Sequence, residues 1–236
     1  VRTLTQFAIL YFVIALISAF LHQVGHGIGA KIDGFSVSTG VALTGDYGKS
    51  PADPDFRSEL PFAGRLTSGG LLGPFFNWAL VIVFSFALSR RPPGLFALFS
   101  VAVVIANAWI RIFPFLKFLW SHVQGPLFLD DEATWALATI REYTWPSTYA
   151  TLQELSTTQS NLVIGRPWVY FWPVVSLLIC LAGAVLATRF AFRTWPEVFQ
   201  TSRNKILFVL VPILWGPVLI PTALWLDLWV RINWAS

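Results

Sequence analysis

Five apolar runs, each about 20 residues or longer, limit most severely what this chain can fold into. They lie at about 6–30, 66–89, 94–119, 168–190 and 206–230. A helix needs about 20 apolar residues to cross the hydrocarbon core of a bilayer. Within that core every backbone N–H and C=O must be paired inside its own segment or a closed barrel. The runs therefore predict five membrane-spanning helices. Charge agrees, since 12% of residues are charged where soluble domains carry about 25%. Many of the 12 Trp lie near the ends of the runs, as in the aromatic belts of membrane interfaces. Pro212, Pro217 and Pro221 interrupt the fifth run and are expected to kink or split it, because each removes a backbone donor. The first run is too long for a signal peptide and lacks a cleavage signature.

The connections are unequal. The first, about 31–65, is polar and contains FSVSTGVALTG, an alternating stretch that predicts an extended segment or small hairpin. The second, RRPPG, is a tight turn. The third, about 120–167, contains DDEATWALATIREY, a short amphipathic helix with acids at its N-terminus. The fourth carries Arg189, Arg193, Arg203 and Lys205. A net charge of +4 without a basic cluster gives no reason to expect a nucleic-acid partner. The bilayer is the expected partner, with arginines near anionic headgroups. Cys180, the lone cysteine, reads as a small buried hydrophobe. Compact basic loops two and four favour an inside N-terminus.

The polar residues inside these runs are the candidates for chemistry. His22 and His26 sit four apart in LHQVGHGIGA, so their imidazoles share one helix face. Together they supply two nitrogen ligands for a tetrahedral zinc. Gln23 stands where a zinc-protease helix carries the glutamate that serves as general base. An amide hydrogen-bonds but accepts no proton. Asn77, in GGLLGPFFNWAL, needs a partner among closely packed small residues. Asn107 and Arg111 lie four apart in the third run. An intramembrane arginine faces the protein interior or reaches an interface, and an acid of loop three is a candidate partner. A third metal ligand is needed, and Asp131 or Asp130 serves if loop three folds back on the first span. Asp33 and His122 are the alternatives. The acids also suit an N-cap and the helix dipole.

In order, these segments resemble the site-2 protease family of intramembrane zinc metallopeptidases. LHQVGHGIGAKIDGF is similar to that family's H-E-x-G-H segment, GGLLGPFFNWAL to its small-Gly-Pro-x-x-Asn segment, ANAWIRIFP to its Asn- and Pro-bearing segment, and LDDEATWAL to its Asp-bearing stretch. The resemblance covers about residues 5–140. It implies that His22, His26 and Asp131 (or Asp130) ligate zinc, that Gln23 occupies the base position, and that Asn77 and Asn107 line the site or position a substrate strand. It also implies an outside N-terminus, opposite to the loop charges. The chain departs from the family in lacking the glutamate, the compact Asn-x-x-Pro…Asp-Gly pattern and a PDZ-like domain.

The expected fold is an all-α integral membrane protein of multi-pass topology. It has about five transmembrane helices, a three-helix protease-like core and a short β segment in the first loop. Residues 1–143 form the core with its loop helix; 144–236 add a polar loop and two spans. The expected function is a catalytically impaired, site-2-protease-like protein, a pseudoprotease or a structural or regulatory subunit of a membrane complex. One alternative is an active intramembrane zinc metalloprotease, with a transmembrane substrate, in which Gln23 is an engineered or misassigned Glu. Another is a helix-bundle accessory subunit of a pigment or electron-transfer complex.

Overall fold

The computed structural model describes residues 2–56, 68–124, 131–133 and 167–235. Five long helices dominate it: α1 Arg2–Ile32, α2 Ser68–Ser89, α3 Gly94–Gln124, α4 Phe171–Thr194 and α5 Ser202–Leu226. All five are long and apolar enough to cross a membrane, as expected of a multi-pass membrane protein. A 3-10 turn, Pro167–Tyr170, leads into α4. Three short strands, β1 Val37–Thr39, β2 Thr44–Asp46 and β3 Ile232–Trp234, form one small sheet in the order β2-β1-β3.

Helix α1 shows how one sequence serves two surroundings. Ile9, Val13 and Ile17 lie exposed at four-residue spacing, whereas Phe7, Tyr11, Ile14, Ser18 and His22 are buried. Rows three and four apart share a helix face, so α1 carries an apolar stripe outward and a second stripe inward that turns polar toward its end. A soluble helix would place charge on the outer stripe. Helix α3 is the hub. In its most apolar window 72% of residues are buried, against 22–33% in the other four helices. Val101 and Val104 of α3, Val81 of α2, Ala187 of α4 and Phe208 of α5 share one core with Phe7 and Tyr11 of α1.

Helix α5 runs unbroken through Pro212, Pro217 and Pro221, so the expected split does not occur. Each proline removes one donor, but its fixed φ is itself helical, so the chain keeps its helical course through all three. The helix ends earlier than the apolar run implies, at Leu226, and Asp227 caps it.

Helix α1 stops at Gly34, whose φ is +80°. Phe35 N–H returns to the Ala30 carbonyl at 2.9 Å and Gly34 N–H to Lys31 at 3.1 Å, the Schellman pattern that favours glycine there. That reversal sends the chain back beneath the helix as the expected hairpin, with Ser38 opposite Gly45. The third strand was not foreseen. β3 pairs antiparallel with β1, Ser38 opposite Asn233. The Trp234 indole donates to Thr39 Oγ1 at 2.8 Å, and Arg231 donates to the Ser38 carbonyl at 2.8 Å. Within the expected loop helix, Asp131–Ala133 are helical; the rest, and the expected boundary at 143/144, lie outside the described residues.

Candidate metal centre

Two glycines bring α1 and α2 together at the site. A Cβ on Gly25 would stand 2.5 Å from the Leu72 carbonyl oxygen, so only a residue without one lets the backbones approach this closely. A Cβ on Gly73 would fill the space directly in front of His26 Nε2. The small residues around the histidines therefore leave room at the ligand atoms.

His22 and His26 are both buried, and their Nε2 atoms face each other at 3.1 Å. Asp131 Oδ2 lies 3.3 Å from His22 Nε2 and 3.8 Å from His26 Nε2. Metal bonds of about 2.0–2.1 Å in a tetrahedron place neighbouring ligand atoms about 3.3–3.4 Å apart. The three observed separations bracket that value, and among the described residues these three groups form the one cluster able to hold an ion. Asp33 is half-buried outside it. Asp130 and the side chain of His122 lie outside the described residues.

The hydrogen bonds behind His22 fix its tautomer. Asn107 Nδ2 donates to the Val103 carbonyl at 2.9 Å, an acceptor that cannot donate. Asn107 Oδ1 must then accept, and Asn77 Nδ2 donates to it at 2.8 Å. That leaves Asn77 Oδ1 to accept from His22 Nδ1 at 2.7 Å. With its proton on Nδ1, His22 presents a lone pair on Nε2 to the cluster. Asn107 also donates to Ser18 Oγ at 2.9 Å, so the relay spans α1, α2 and α3. Asn77 and Asn107 are fully buried, each on a different helix. No local pattern joins them.

Arg111 is buried on α3. It donates to Asp131 Oδ2 at 2.9 Å and grips Glu132 through both Nε, at 3.0 Å, and Nη2. Glu132, also buried, makes this fork possible. This is the loop-three acid that an intramembrane arginine calls for, and Glu132 takes the fork while Asp131 faces the histidines. Burial by itself would raise the Asp131 pKa, but the Arg111 guanidinium beside it outweighs burial and holds the carboxyl well below the usual carboxylate value. Asp131 is thus an anion tethered beside two imidazoles.

Gln23 belongs to a different contact set. Its Nε2 donates to the Ala42 carbonyl at 2.9 Å, and its Oε1 accepts from Thr44 Oγ1 at 2.7 Å. Both partners sit at the hairpin turn. Asp227 grips the same turn from the other side, accepting from the N–H groups of Val41 and of Ala42, the latter at 3.1 Å. Sequence reasoning missed Thr44 and Asp227, since nothing in their local sequence announces a partner on another element.

No family model, curated protein or solved structure matches this chain. Fold and site together define a bundle of five potential membrane-crossing helices with a buried His-His-Asp cluster able to chelate a metal ion.

Proposed function

We propose that this chain is a site-2-protease-like membrane protein that retains a zinc centre and has lost the hydrolytic base, a pseudoprotease serving as a structural or regulatory subunit of a membrane complex. Gln23 is the observation that carries this reading. Its amide uses a donor on Ala42 and an acceptor on Thr44, so amide chemistry matches both neighbours. A carboxylate there would set an oxygen against the Ala42 carbonyl. That match favours Gln23 as a native clamp on the hairpin over a replaced or misassigned Glu.

His22 Nε2, His26 Nε2 and Asp131 Oδ2 would hold the ion, and two imidazoles with a carboxylate suit zinc. Bound zinc would supply Lewis acidity and folding free energy. Asn77 holds the His22 proton on Nδ1, and Arg111 with Glu132 orients Asp131, the kind of support on which metal sites depend. Position 23 offers no proton acceptor. A positioned general base is worth about 10²–10⁴-fold in rate, so hydrolysis is reduced to that extent. The two Nε2 atoms converge at 3.1 Å. That suits one small ion between the helices and disfavours a pigment macrocycle there.

Elemental analysis of the purified full chain tests the metal part. About one zinc per chain is expected, with loss in His22→Ala and Asp131→Asn. A wild-type chain that takes up no zinc sinks it. Robust cleavage of a transmembrane substrate by the wild-type chain would overturn the pseudoprotease part.

A further inference from the structure

The end of the bundle opposite the histidines holds a second candidate site. It gathers the start of α1, the turn between α2 and α3, the end of α4 and the start of α5. This end carries Arg2, Arg90, Arg91, Arg189, Arg193, Arg203 and Lys205, with Glu197 as its one acid. A cavity of about 680 Å³ opens between the α2–α3 turn and the last turns of α4, lined by Arg91, Arg189 and Arg193 and, about a turn further from the helix end, by Val185 and Leu186. The three arginines are exposed, and among the described residues none of them has an ion-pair or side-chain hydrogen-bond partner. Guanidiniums at helix C-termini often bond the last carbonyls, and these do not.

Arg91 sharpens the point. Its φ is +53°, the left-handed region where glycine is the default after a helix. An arginine there accepts strain and places a third guanidinium at the cavity mouth. The apolar wall is open to the outside of the bundle, with Val185 at 49% and Leu186 at 38% exposure. A cationic rim over an apolar wall, at the end of helices long enough to span a bilayer, fits a ligand with a phosphate and a hydrocarbon tail.

We infer that this cavity binds the phosphate of an anionic membrane lipid, the headgroup held by Arg91, Arg189 and Arg193 and the acyl chain lying along Val185 and Leu186. A free phosphate would satisfy the rim and leave the apolar wall unused.

The test offers the detergent-purified full chain equal amounts of phosphatidylglycerol and phosphatidylcholine and counts retained lipid by native mass spectrometry. The wild-type chain is expected to prefer phosphatidylglycerol by on the order of a hundredfold, each of the three arginines contributing roughly fivefold. Arg189→Ala with Arg193→Ala should lower its retention by about 25-fold on the same basis. Arg203→Ala with Lys205→Ala removes equal charge at the same end but outside the cavity, and should leave the preference within about twofold. Arg189→Lys with Arg193→Lys keeps stems and charge, and should retain the preference even if the alanine pair misfolds. Equal retention of the two lipids by wild type, equal losses from the cavity pair and the outer pair, or a lysine pair no better than the alanine pair each overturns the proposal. Complete displacement of the lipid by excess inorganic phosphate would assign the site to a small anion instead and overturn the lipid assignment.

Discussion

Replacing Gln23 by Glu probes the site most directly, because resemblance and structure give it opposite consequences. If position 23 faces the metal as a general base, Gln23→Glu restores hydrolysis. If it clamps the hairpin, the same change damages the fold. The Thr44 hydroxyl, 2.7 Å from Gln23 Oε1, still has an acceptor in Glu. The Ala42 carbonyl loses its donor and meets an anionic oxygen at the position where Nε2 now lies 2.9 Å away. Losing one hydrogen bond and leaving a carbonyl unsatisfied costs about 1–3 kcal/mol. For a chain of 150–250 residues each kcal/mol moves Tm by about 2–4 °C, so a drop of about 2–12 °C is expected for the detergent-solubilised protein at neutral pH. The defect should shrink at acidic pH, where a protonated Glu offers Ala42 an O–H. Thermal unfolding followed by circular dichroism, paired with a transmembrane-substrate cleavage assay, reads both consequences. A Gln23→Glu protein as stable as wild type at neutral pH, or one that gains cleavage activity, would refute the clamp.

Three further substitutions test the surroundings. Asn77→Ala removes the acceptor that holds the His22 proton on Nδ1, and zinc affinity measured by chelator competition should fall about 10–100-fold; unchanged affinity would mean the relay does not set the ligand. Arg111→Ala leaves buried Glu132 and half-buried Asp131 without their shared cation, which should cost about 3–5 kcal/mol and show as a lower Tm or lost expression, whereas wild-type behaviour would make the fork dispensable. Asp227 lies just past the end of α5. Its carboxyl is raised above the ordinary 3.8 by burial, against the opposing effects of the Ala42 and Val41 N–H groups and Arg231. A raised folded-state pKa means that the native chain binds the proton more tightly than the unfolded chain. This group's contribution is therefore most favourable below 3.8 and declines as pH rises from there through the raised value. Asp227→Asn keeps an acceptor for the two N–H groups and should flatten that part of the Tm-versus-pH curve; an unaltered slope would exclude Asp227 as its source.

Much of this molecule is written in local sequence. Run length and the absence of charge determine the five long helices, because 1.5 Å per residue against a fixed hydrocarbon thickness leaves little choice. The four-residue spacing of His22 and His26 puts both rings on one face before any tertiary contact forms. Burial of an arginine in the third run calls for an acid, and loop three holds a DDE triplet. What local pattern cannot specify is which groups meet across helices. Asn77 reaches His22 from 55 residues away, and Asp227 reaches Val41 from 186 away. The third strand arrives from the far end of the chain, and Glu132 becomes half of an arginine fork only after α3 and the loop are packed together. Gln23 is the sharpest case. Its sequence position says catalytic base, and only the folded hairpin supplies the carbonyl and hydroxyl that turn its amide into a clamp, because hydrogen-bond partners are chosen by proximity in space and sequence spacing reports proximity only within a single helix or strand.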